Sequence, residues 1–131
     1  MGIGGMIELR KAHYLYVNFR AEKYRRRLSD GDKDAAEKWT SQHSVPIEGA
    51  MPFYKVYQVF TTVRAYIVMA DYNSAILILN GILKFSEDYR RPLDTIEAYI
   101  LLAVAYCNKP DVSSATQAVM RINEIGLLSD T

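Results

Sequence analysis

The chain has almost none of the residues that staple small secreted folds: one cysteine, Cys107, in 131 residues. It cannot close an internal disulfide, so a disulfide scaffold is excluded and a reducing compartment, by default the cytoplasm, is expected. No apolar run approaches the ~18 residues of a membrane span; the longest are "AILIL" and "AYILLAVAYC". "MGIGGMIELR" lacks the basic region and apolar core of a secretory signal. Its "GIGG" is not a dinucleotide fingerprint, since no strand precedes it and the glycine spacing is wrong. Residues 1–5 therefore read as a disordered leader. Charge of one sign is also missing: 16 Lys+Arg stand against 15 Asp+Glu. Nothing global draws the chain to nucleic acid or an anionic membrane.

Catalytic and metal motifs are equally scarce. There is no G-x-x-x-x-G-K-[ST] phosphate loop, and His13 and His43 have no partners at metal-ligand spacing. Cys107 lies in apolar "LLAVAYC", the setting of a small buried residue, not of a catalytic thiol. Asp94 and Glu97, like Glu87 and Asp88, read as helix-end charges and not as an acid/base pair. No enzyme and no cofactor are expected.

What the chain does have is a period. "DKDAAEKW", "DYNSAILILNGI" and "DVSSATQAVMRI" begin at Asp32, Asp71 and Asp111, 39 and 40 residues apart. With 50% hydrophobic residues the chain can build a core, and a period of this length signals stacked supersecondary units. In the central copy Tyr72, Ala75, Ile76, Leu79, Ile82 and Leu83 draw one stripe down a helix over about 72–86. Upstream, Pro52 suits a first helical turn, and Val56, Val59, Phe60, Val63 and Ile67 stripe a helix reaching Ala70. The third unit repeats the plan: Pro92 opens a helix, "NKPD" breaks it, and a second runs from Val112 to Ile125 with Gly126 as its C-terminal cap. The first unit pairs a helix over about 7–28 with a shorter one over 33–43. "SVPIEGAMP" and "EDYRR" are the linkers.

Each repeated aspartate starts a second helix, where its carboxylate can accept from a free first-turn amide and suits the positive end of the dipole. The small pairs after it, Ala35-Ala36, Ser74-Ala75 and Ser114-Ala115, remove bulk where two antiparallel helices approach. The expected fold is all-α: a single right-handed, TPR-like stack of about three antiparallel helix pairs, with repeats at 6–45, 50–88 and 92–126.

A helix, a tight "GD" or "DY" turn and a second helix opening on small residues resembles the tetratricopeptide repeat, although the period is longer than the usual ~34 residues and the Trp, Leu-Gly and terminal Pro signatures are missing. The ordered set Gly31, Asp32, Ala35, Ala36 and Trp39, then Arg64, Ala65, Asp71, Tyr72, Ala75 and Leu79, then Arg91, Ile96, Glu97, Ala103 and Ala105 is similar to the helical-repeat region of the large ATP-dependent LuxR-family regulators, the MalT-like group. The similarity spans Ala12 to Ile125. It implies a sensor and interaction segment that binds a small-molecule inducer or a regulatory protein. ATP handling and the DNA-reading helix-turn-helix would then lie on separate domains. A stand-alone protein-interaction adapter is the alternative.

In stacked arrays of this kind the first helix of each pair lines the binding groove. Counting back from each aspartate selects Asn18, Ala21, Arg25 and Leu28; Tyr57, Phe60, Arg64 and Ile67; and Glu97, Ile100, Val104 and Cys107. Asn18, Arg25, Tyr57, Phe60, Arg64 and Glu97 are the candidate ligand residues, supplying hydrogen bonds, charge and aromatic faces. Structural ion pairing of the arginines with neighbouring acids is the competing reading. Most of the 10 tyrosines are expected to pack between helices. "RRR" at Arg25–Arg27 sits in the one basic stretch, with eight Lys/Arg and four Asp/Glu from Glu8 to Lys33. Without a groove-reading element it is a solvated helix face, and no direct nucleic-acid or membrane contact is expected. Self-association through apolar ends of the stack is expected.

Overall fold

The computed structural model describes residues 3–43 and 55–129, with side chains from 16–43 and 55–126. They form six helices and, among the described residues, no strand: α1 (Ile3–Ser29), α2 (Lys33–Gln42), α3 (Val56–Val68), α4 (Tyr72–Asp88), α5 (Pro92–Asn108) and α6 (Val112–Ser129). Successive helices pack pairwise, α1 with α2, α3 with α4 and α5 with α6, and the pairs stack because α3 also lies on α1 and α2 and α5 on α4 and α3. Pro52 and "SVPIEGAMP" fall outside the described residues.

The three hairpin turns follow from the repeated aspartate. Asp32 accepts from the Ala35 amide at 3.1 Å, Asp71 from Ser74 at 3.2 Å and Asp111 from Ser114 at 3.1 Å. Each aspartate amide in turn donates five residues back, to Arg27, Tyr66 and Tyr106 carbonyls at 2.8–3.0 Å. A bond of that span closes the end of the first helix while the carboxylate opens the second. The residue before the aspartate must bend the chain, and the three copies solve this differently. Gly31 takes φ +76° freely, Ala70 takes φ +61°, and Pro110 holds the third turn. A left-handed alanine costs about 1–2 kcal/mol, part of which a glycine returns to the flexible unfolded chain. Ala70→Gly is therefore expected to stabilise the protein by about 0.5–1 kcal/mol in urea unfolding. An unchanged or lower midpoint would show that the turn is not strained.

Behind each turn Ala36, Ala75 and Ala115 are buried, as close helix approach requires. Two apolar clusters meet across α3. Ala21, Tyr24 and Leu28 of α1, Ala35, Ala36 and Trp39 of α2 and Ala65 of α3 form one. The other joins Val59, Phe60 and Val63 of α3, Ile78, Leu79 and Ile82 of α4, and Ala98, Leu101 and Leu102 of α5. Trp39 Nε1 donates to Thr62 Oγ1 at 2.9 Å, and Thr95 Oγ1 to Ser86 Oγ at 2.7 Å. These bonds satisfy the buried polar atoms that tie each second helix to the next first helix.

Several expectations are corrected. α1 begins at Ile3, so residues 3–5 are helical and not a separate leader. Gly126 lies inside α6, which continues to Ser129; Gly31 is the one glycine among the described residues with positive φ, so Gly126 makes no left-handed cap. α4 runs on through Glu87 and Asp88 before Arg90, at φ +53°, turns the chain into α5. Cys107 is exposed, not buried.

Candidate functional site

α1, α3 and α5 lie side by side, and their register decides which candidates meet. Arg25 and Arg64 each stand seven residues before their aspartate; Asn18, Tyr57 and Glu97 stand fourteen before theirs. Seven residues are two helical turns, about 10 Å, and helical side chains lean toward the N-terminus. The long guanidinium stems thus reach back to the level of Tyr57 and Glu97. Arg64 Nη2 donates to Glu97 Oε1 at 2.9 Å, and Arg25 Nη2 approaches the same oxygen at 3.7 Å. The Arg25 guanidinium lies 3.8 Å from the centre of the Tyr57 ring, a cation–π contact, and its Nε donates to Thr61 Oγ1 at 3.2 Å. Tyr57 Oη donates to Glu22.

Four of the six candidates, Arg25, Tyr57, Arg64 and Glu97, therefore form one connected cluster across three helices that are distant in sequence. Asn18 shares the face, at the level of Tyr57 and Glu97. Phe60 does not: it is 1% exposed and belongs to the apolar core. Eleven residues before the aspartate, it stands three from Tyr57 and four from Arg64, rotated about 40–60° around the helix onto the flank that α4 and α5 close over. Ala21 and Leu28 are buried for the same reason, while Ile100, Val104 and Cys107 are exposed, with no helix across them among the described residues. Glu97 is no mere helix-end charge, whereas Asp94 is one, paired with Arg91 in the first turn of α5.

Two members of the cluster, Glu22 and Thr61, lie outside the set that the repeat register selects. Both stand ten residues before their aspartate, one step from the selected rows, so a row drawn one position over contains them. Their involvement follows from Arg25 crossing to α3, which no single-helix pattern encodes.

The face balances its charges, two guanidiniums against Glu22 and Glu97. Burial holds the Arg25 guanidinium below its ordinary value, opposed first by Tyr57 and less by Glu97 and Glu22, with Arg64 adding to the lowering. Burial, followed by the hydrogen bond to Glu22, raises the Tyr57 phenol, so Tyr57 is a neutral donor. The partly exposed ion pairs are each worth at most about 1 kcal/mol. Three polar atoms on this face are nevertheless buried without a hydrogen-bond partner among the described residues: Asn18 Oδ1, Arg25 Nη2 and Arg64 Nε. Such atoms are few in a native protein, and each calls for a partner.

The remaining sequence features disperse. Arg26 and Arg27 are exposed beside the half-buried Arg25, and Arg20 donates to Gln42 at 2.6 Å. "RRR" is thus not one basic patch. Tyr24 is buried and Tyr66, Tyr99 and Tyr106 pack against the core, as inter-helix packing requires, while Tyr16 is exposed. Among the described residues no three His, Cys, Asp or Glu side chains are grouped to hold a metal, and no helix is long and apolar enough to cross a membrane. Set against protein-family models, curated proteins and solved structures, the chain matches none.

Proposed function

We propose that the chain is a non-catalytic sensor or interaction module that binds its ligand on the joint face of α1, α3 and α5. The observation that carries this reading is that Asn18 Oδ1, Arg25 Nη2 and Arg64 Nε, one acceptor and two donors, form no hydrogen bond among the described residues. A hydroxyl both donates and accepts, so a neutral polyol or oligosaccharide answers all three atoms, and the balanced charges of the cluster favour it over a strong anion. On this reading the module works as the TPR-like repeat region of a LuxR-family, MalT-like transcription regulator in the cytoplasm. It senses an inducer and passes that state to ATPase and DNA-binding domains, with no cofactor, nucleic acid or membrane contact of its own.

A stand-alone protein-interaction adapter is the second reading. It is favoured by Glu97 already engaging both guanidiniums, which lets the face close without a small ligand. A thermal-shift screen against small metabolites including oligosaccharides separates the two. A bound compound at a hundred times its dissociation constant should add about 2.7 kcal/mol of stability, and Arg64→Ala should remove the shift while leaving the helical signal intact. No shift with any compound would overturn the small-ligand reading in favour of the adapter.

A further inference from the structure

The repeat register shows which surfaces of each pair are covered by the next. Residues eleven, seven and four before the aspartate face the following unit. In the second pair these are Phe60, Arg64 and Ile67, and Arg64 crosses to Glu97 of α5. On the second helix, residues eight, eleven and fifteen after the aspartate do the same: Leu79 and Ile82 are fully buried and Ser86 bonds Thr95 of α5. The equivalent positions at the far end of the stack are Ile100, Val104 and Cys107 on α5 and Val119, Ile122 and Gly126 on α6. Ile100 is 47%, Val104 40% and Val119 47% exposed, where Leu79 is 0%. In a chain that is 24% charged, none of these six residues carries a charge. The face is shaped and coloured for another helix.

The opposite end of the stack cannot supply it. The row by which α5 docks onto α4, sixteen, thirteen, nine and six residues before the aspartate, is Thr95, Ala98, Leu102 and Ala105, all buried. On α1 the same row reads Tyr16, Phe19, Lys23 and Arg26, all exposed. Lys23 Nζ sits 4.8 Å from the Phe19 ring centre, covering it. Docking that row head-to-tail would bury two cations against a row that offers no acid, an uncompensated desolvation. Pairing the uncharged face with itself buries no charge.

We propose that the α5–α6 end face is an interface with a second copy of this chain, joined tail-to-tail about a twofold axis. A contact of like with like closes on itself, so assembly stops at two. The exposed α1 row, by contrast, carries two cations and is polar.

Sedimentation equilibrium of the 131-residue chain over a wide concentration range tests this. The mass should rise from 14.9 kDa to twice that value and no further. Val104→Glu and Val119→Glu should each return it to the single-chain mass with the helical signal unchanged, because both side chains are exposed in the monomer. Phe19→Glu, on the α1 end, should leave the dimer intact. In the wild-type dimer a short bis-maleimide should link Cys107 to Cys107. A single-chain mass at every concentration overturns the proposal and leaves the face to another partner. Polymers that grow with concentration, or a dimer lost in Phe19→Glu and kept in both glutamate variants, overturn it in favour of head-to-tail stacking.

Discussion

Trp39→Ala is expected to cost roughly 3–5 kcal/mol, a large part of the 5–15 kcal/mol that holds a domain of this kind together. Trp39 is fully buried, packs 5.2 Å from the Tyr24 ring, and spends its indole N–H on Thr62 of α3. Truncation opens a cavity between the first and second pairs and leaves the buried Thr62 hydroxyl without its donor, a further penalty. Stability in a stacked array is close to a sum over neighbouring units. The loss should therefore be uneven. Hydrogen exchange should accelerate most in α1 and α2, while α4, α5 and α6, which belong to the other apolar cluster, keep more of their protection. Equal acceleration throughout would show that the stack unfolds as one unit, and a loss below about 1 kcal/mol would show that Trp39 does not join the pairs.

Phe60→Ala carries an expected loss of about 3–5 kcal/mol as well, and it decides a different question. As a groove residue Phe60 would lose ligand affinity on truncation and leave stability within about 0.5 kcal/mol of the wild type. The structure puts its ring among Val56, Val63, Leu79 and Ala98 of the same core cluster. The urea midpoint should thus fall steeply, and ligand shifts seen with the wild type should survive wherever the variant remains folded. A stable Phe60→Ala protein that no longer binds would return Phe60 to the site. Ile82 is an internal control: it is equally buried and has no place on the candidate face, so Ile82→Ala should resemble Phe60→Ala in stability.

Four of the six members of the cluster around Glu97 are legible in the amino-acid sequence. Arg25 and Arg64 announce themselves by holding one register position in two repeats, and Tyr57 and Glu97 share another. Register alone, however, says which residues stand on a row and not how far a side chain reaches. Arg25 spans two turns to contact α3 and α5 together, and that depends on the distance between helices. Glu22 and Thr61 enter the cluster only through that reach.

The sequence by itself determined the helix pairs, because their signals are local: an aspartate that caps, a small residue behind it, a turn before it and an apolar stripe at helical spacing. Those are decided within one or two turns of chain, and the hydrogen bonds of Asp32, Asp71 and Asp111 answer them one for one. Burial was decided elsewhere. Phe60 and Ile100 occupy the same register position, yet one is sealed in the core and the other open to water, because a helix pair follows the first and, among the described residues, none covers the second. Cys107 is exposed for the same reason, and Gly126 lies within α6, which runs on to Ser129. Whether an apolar residue becomes core or surface depends on which helix lies across it, and only the tertiary structure of the stack holds that fact.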